Sequence, residues 1–149
     1  MLSNIPITTA SSTVTIFHLD KYLLCRYSDR FSDIFKDPKS AHRTTFAFQD
    51  LDTEIFSVLA NWLPNATLVN RNNQPLKIAE LVQLWLMAES FEIATLQNNT
   101  VKEIYKLMDG DERVQPKGYL ELWESGVELL RGLALEMLLR NPDSIEAVV

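Results

Sequence analysis

The order of hydrophobic and polar positions changes character along the chain, from alternation near the start to helical spacing afterwards. Residues 4–19 read as extended. Ile5-Pro6-Ile7-Thr8-Thr9 and Thr13-Val14-Thr15-Ile16-Phe17 are rich in β-branched residues, with Ala10-Ser11-Ser12 between them as a turn, so a hairpin is expected. Pro6 lacks the N–H that a ladder needs, which places it on an edge or at a strand start. From Lys21 to Lys36 the spacing turns helical, in two short pieces. Leu23, Leu24, Tyr27, Phe31, Ile34 and Phe35 share a face, Ser28 caps the second piece, and Pro38 stops it. Thr44-Thr45-Phe46-Ala47-Phe48 then reads as a third strand.

The clearest helix follows. Ile55, Val58, Leu59, Trp62 and Leu63 fall at i, i+3, i+4, i+7 and i+8, and Asp52 and Glu54 load its positive end. Pro64 is expected to end it. Asn65 to Pro75 is a polar loop with a short strand at Thr67-Leu68-Val69. A second strong helix is expected from Leu76 to Ser90, with Ile78, Leu81, Val82, Trp85 and Ala88 on one face. A third spans Thr95 to Met108 and should bury Leu96, Thr100, Ile104 and Leu107. Asp109-Gly110-Asp111 breaks the pattern. Helices near Pro116–Glu124 and Val127–Arg140 complete the chain. The last is apolar on nearly all sides, with Leu129, Leu130, Leu133, Leu135, Leu138 and Leu139. It must be buried on both sides or offer a partner an exposed face. No internal repeat or low-complexity segment interrupts this order.

A length of 149 residues suits one domain, and 46% hydrophobic with 23% charged residues is ordinary globular composition. The net charge of −6 argues against a grip on nucleic-acid phosphates. The most basic neighbourhood, Lys36 to Arg43, is broken by Asp37 and Pro38 and reads as a solvated loop. A single cysteine, Cys25, excludes an internal disulfide framework and a multi-thiolate zinc site. It fits a reducing compartment, so an intracellular setting, cytoplasmic or nuclear, is expected. The N-terminus shows no secretory pattern, and no apolar run reaches the ~18 residues of a membrane span. The Asn-x-Thr triplets at Asn65 and Asn98 read as coincidence in that setting.

The search for chemistry finds no catalytic set. His18 lies in or just after a strand and His42 in a polar loop, and neither is spaced to serve a nucleophile. Cys25 sits in an apolar helical stretch and reads as a small buried hydrophobe. No glycine-rich phosphate loop is present. Asp109-Gly110-Asp111-Glu112 lacks the remaining ligand positions of a calcium loop and reads as an acidic helix terminator. Trp62 and Trp85 read as core, with Trp123 less settled. The expectation is therefore no catalytic residue, no cofactor and no metal, and a small enzyme is the weaker alternative.

Taken as blocks, the chain resembles the BTB/POZ domain, in the divergent form common in fungi. The stretch from Phe17 to Phe31, FHLDKYLLCRYSDRF, is similar to the family's F-x-V-H-K-x-x-L-x-x-x-S-x-x-F. Phe56 to Leu63, FSVLANWL, is similar to F-x-x-x-x-x-W-L. Leu84-Trp85-Leu86-Met87-Ala88-Glu89 and Leu96-Gln97-Asn98 resemble L-Y-x-x-A-[DE] and L-Q-N, and Ser3-Asn4-Ile5 resembles the opening S-D-V. The likeness spans about residues 3–108, and it is the order and spacing of the blocks that carry it. Three departures stand out. Asp20 takes the family histidine position, Asn4 replaces the opening aspartate, and Pro64-Asn65-Ala66 replaces Y-T-G. These should loosen polar contacts around the first helix and after the Trp62 helix.

The resemblance implies an α+β fold: a small, mainly three-stranded sheet with a cluster of five or more helices over residues 1–110, and a C-terminal helical extension over 111–149. Its motif core would be Phe17, Leu24, Ser28, Phe31, Phe56, Trp62, Leu63, Leu84, Trp85, Ala88, Leu96 and Asn98. It implies a protein–protein interaction module without catalysis, its partner unidentified. An alternative is a substrate adaptor for a cullin-type ubiquitin ligase. That is disfavoured, because Lys36 to Arg43 lacks the hydrophobic-x-Glu element that family members insert into the scaffold. Only two residues precede Ser3, so the exchanged N-terminal helix of dimeric members is expected to be absent. A monomer, or a weak homo-oligomer through a surface such as the last helix, is expected, with no nucleic acid or membrane as partner.

Overall fold

The computed structural model describes residues 4–10, 14–39, 46–49, 51–110 and 115–140. Strands β1 (Asn4–Ala10) and β2 (Val14–Asp20) pair antiparallel, with Ile7 opposite Phe17 and Asn4 opposite Asp20. β3 (Phe46–Gln49) runs parallel to β1, giving the order β2-β1-β3. Pro6 lies on the central strand, not an edge. Among the described residues the β1–β3 pairing begins at Ile7, so the missing N–H falls outside it. Of the expected third strand, Thr44 and Thr45 lie outside the described residues.

Helices α1 (Lys21–Tyr27) and α2 (Asp29–Lys36) follow, then α3 (Thr53–Asn65), α4 (Ile78–Ser90), α5 (Ala94–Gly110), α6 (Gln115–Glu124) and α7 (Glu128–Arg140). The expected α+β class is corrected by this inventory: the chain is mainly helical. α3, α4 and α7 run 13 residues each and α5 runs 17, whereas no strand exceeds 7 and β3 has 4. Among the described side chains of the strands, only Ile7 and Leu19 are buried in the core. The rest of that core comes from the helices and the turns between them. The β-branched runs mark strands locally, but among the described residues most of the large buried side chains lie on helical faces, and those faces bury one another.

α4 is the hub, lying against α3, α5 and α6, and α7 packs on α5 and α6. This explains its composition: Ile78, Leu81, Val82, Leu84, Trp85 and Ala88 are all buried, on more than one side of the helix. α5 buries Leu96, Thr100, Ile104 and Met108 at uniform four-residue spacing, so Met108 takes the place expected for Leu107, which is half-buried. Thr100 satisfies its hydroxyl by donating to the Leu96 carbonyl at 2.7 Å. The strand expected at Thr67–Val69 reduces to one bridge, Val69 to Pro75.

The departures from the family pattern carry local contacts of their own. Asp20 does not loosen α1. Its Oδ1 accepts from the N–H groups of Tyr22 and Leu23 at 2.8 and 3.2 Å, capping the helix. Asp52 does the same for α3 through the N–H of Ile55 at 3.1 Å. Pro64 is tolerated in the last turn of α3, which ends one residue later. Ala66 adopts the left-handed conformation there and returns its N–H to the Trp62 carbonyl at 2.7 Å.

Candidate functional site

The motif residues converge, but on the core. Leu24, Ser28, Phe31, Phe56, Trp62, Leu63, Leu84, Trp85, Ala88 and Leu96 are all buried. Phe17 is half-buried and meets Phe56 edge-on, ring centroids 4.9 Å apart. Asn98 is set apart, exposed on α5. This group positions helices and offers nothing to a ligand. Its one polar member, Ser28, joins two parts of the chain. The hydroxyl donates to the Phe91 carbonyl at 2.5 Å and accepts from the Phe31 N–H at 3.1 Å. The neighbouring Asp29 N–H reaches the Glu92 carbonyl at 3.2 Å, and Arg30 donates to the Ser90 carbonyl at 3.0 Å. The α1–α2 junction is thereby fixed to the α4–α5 turn.

Among the described residues, no group of three or more His, Cys, Asp or Glu side chains is placed to hold a metal ion. His18 is exposed, and His42 lies outside the described residues. Cys25 is half-buried, and burial pushes its thiol above the ordinary value, with Lys21 and Lys36 pulling the other way more weakly. That raises the cost of the thiolate, opposite to what a nucleophile needs.

Exposed apolar surface is the feature that the core does not absorb. The large hydrophobic side chains exposed among the described residues are Ile16, Tyr22, Leu86, Leu120, Trp123, Leu129 and Leu135. Four of these seven, Leu120, Trp123, Leu129 and Leu135, stand on the hairpin of α6 and α7. The hairpin is held in shape. Gly126, with φ +73°, makes the turn, and Ser125 accepts from the Val127 N–H at 3.2 Å. Arg131 donates through Nε to the Trp123 carbonyl at 2.8 Å and lies over the indole, 5.1 Å from the ring centroid. Leu122, Leu130 and Ala134 face inward.

A second feature is an open groove of about 300 Å³ between the start of α3 and α4. Leu51, Ile55, Leu86, Met87 and Phe91 line it, with Asp52, Gln83 and Ser90 at its polar edge. Sequence reasoning missed this groove. A signal was present, because Leu84-Trp85-Leu86-Met87 is too long an apolar run for one helix face, and Leu86 is the residue left outward.

No protein-family model matches the chain, and a search of curated proteins finds no match. Among the described residues, no helix is long and apolar enough to cross a membrane.

Proposed function

We propose that this chain acts by binding another protein and performs no chemistry of its own, with the α6–α7 hairpin as its principal contact surface. The observation that carries the reading is the gathering of Leu120, Trp123, Leu129 and Leu135 on one ordered hairpin. Exposed apolar residues scattered singly need no explanation, whereas a concentration of them points to association. Aromatic anchors such as Trp123 are the residue type that most often dominates interface energy. The ordered motif blocks from Phe17 to Asn98 add support, and on them we propose a BTB/POZ relationship.

Affinity purification of the full chain from its source organism tests the reading. A stoichiometric protein partner is expected, retained by the natural sequence and lost from a Trp123→Ser, Leu135→Ser double variant. Recovery of the chain alone, or partners indifferent to the double variant, would count against it. A cullin scaffold is expected to bind weakly or not at all. The stretch from Lys36 to Arg43 offers no large apolar anchor, and such an anchor is worth ~2 kcal/mol or more, roughly thirtyfold in affinity. Calorimetry against the organism's own cullin N-terminal domain checks this, and sub-micromolar binding would replace the present reading with the ligase adaptor.

A further inference from the structure

We infer that the outward face of α7, centred on Gly132, is a docking site for a basic amphipathic helix of a partner protein. The inference rests on the interaction reading above and specifies the contact point and the partner's chemistry.

Gly132 is the starting point, because the fold gives it no reason to be glycine. Gly118 has one: an added Cβ would lie 3.3 Å from Sδ of the buried Met108. Gly126 has another, its φ of +73°. Gly132 sits inside α7 without positive φ, and among the described residues an added Cβ would meet nothing within 4 Å. In a helix interior glycine costs about 1 kcal/mol relative to alanine. A bare backbone at an exposed helix position suits close approach by another helix, since the side chains at the crossing set the distance between axes. Leu129 and Leu135, three residues to either side, are 57% and 49% exposed and make apolar shoulders for that crossing.

Charge selects the occupant. Glu128 is exposed on α7 one turn before Gly132, and Glu124 is exposed at the end of α6, where the chain enters the turn. The cation beside them, Arg131, is engaged on Trp123. A second copy would bring the same acids to the same crossing, between chains that each carry net charge −6. A helix with a small or apolar stripe flanked by Lys or Arg meets the leucine shoulders and the acids together.

The probe is a synthetic helical peptide of about 20 residues, long enough to hold its helix, with an Ala/Leu stripe flanked by lysines. A control peptide carries glutamates in their place. Fluorescence anisotropy with the full chain should show the lysine peptide binding at least about tenfold more tightly than the glutamate peptide, a gap of ~1.4 kcal/mol. Gly132→Leu should weaken the lysine peptide by a similar factor while leaving the melting temperature unchanged or raised, because leucine is the better helix former. Equal binding of the two peptides, no binding of either, or indifference to Gly132→Leu would overturn the inference. So would a dimer in sedimentation velocity that Gly132→Leu abolishes, which would assign the face to a second copy. If partners captured by the full chain survive Gly132→Leu, this site falls while the interaction reading stands.

Discussion

Trp85 on α4 and Trp123 on α6 are the same residue on two helices that touch, yet one is 7% exposed and the other 47%. The contrast extends to the regions around them. In the body formed by the sheet and α1 to α5, apolar side chains stack in depth: Phe31 lies against Phe91, Phe56 against Phe17 of β2, and Tyr27 meets Trp62 edge-on at 5.0 Å. In the α6–α7 hairpin, Leu122, Leu130 and Ala134 are buried and Val127 and Leu133 pack partly against the core, whereas Leu120, Trp123, Leu129 and Leu135 face outward among the described side chains. A body that packs Phe31, Phe56 and Trp62 inside is specified by shape. A hairpin that leaves Trp123 and three leucines outside has apolar surface available for a partner.

The strongest way to break this comparison is in the body. Trp62→Ala removes an indole that is 2% exposed and should cost about 3–5 kcal/mol. Trp62→Phe sharpens the point. The Trp62 indole N–H finds no acceptor among the described residues, so removing it forfeits no described hydrogen bond, and the cost should fall below about 1.5 kcal/mol. Urea denaturation of both variants checks this. Equal losses would show that the indole N–H matters in some other way.

Ser28→Ala should come next, at about 1–3 kcal/mol. It removes the cap from the buried Phe31 N–H and strips the Phe91 carbonyl of its hydroxyl donor. Because Ser28 ties the α1–α2 junction to the α4–α5 turn, amide exchange should quicken at both places. Exchange confined to α1 and α2 would show that the tie is not shared.

The sequence made the body legible for the same reason that these losses are large. At Ile55, Val58, Leu59, Trp62 and Leu63 one face alone is apolar, and the structure buries all five. Ser28 could be read as a cap from its place between two apolar runs, though its bond to Phe91 could not, since it joins residues 63 apart. Legibility fails where apolar residues leave a choice. On α5 both Leu107 and Met108 continue the spacing, and packing selects Met108, which lies against Gly118 of α6. On α7 leucines surround the helix, so the sequence could not say that Leu130 turns inward while Leu129 and Leu135 face out. The strands show the opposite error. Their β-branched runs are conspicuous in sequence, but the helices are more numerous and mostly longer, so the α+β class gave way to a mainly helical one.

The glycines test the hairpin at smaller scale. Gly132→Ala should raise stability by up to about 1 kcal/mol, since the new methyl meets open space and glycine is a poor helix former. Gly118→Ala makes the same change on α6, but its methyl would press on the sulfur of Met108, a fully buried side chain with little room to move. The two variants should therefore separate by thermal melting, Gly132→Ala upward and Gly118→Ala level or downward. A matching gain in both would show that the α5–α6 contact is slack.

The smallest expected effect is also the most direct test of the contrast between the tryptophans. Trp123→Ser should change stability by no more than about 0.5 kcal/mol, the usual range for a surface position. The indole does contact Arg131, but that cation also donates to the Trp123 carbonyl, a bond that survives any change of side chain. Trp85→Ser, by contrast, opens a cavity beneath α4 and should cost several kcal/mol, in the range of about 3–5 for an aromatic lost from a core. The pair separates packing from recognition, because the two substitutions are chemically identical. Denaturation curves for both, with peptide-binding measurements for Trp123→Ser, decide the matter. A small stability change with a large binding loss would place Trp123 in the contact surface. A Trp123→Ser variant as unstable as Trp85→Ser would show that the indole supports the hairpin, and the outward surface would then rest on Leu120, Leu129 and Leu135.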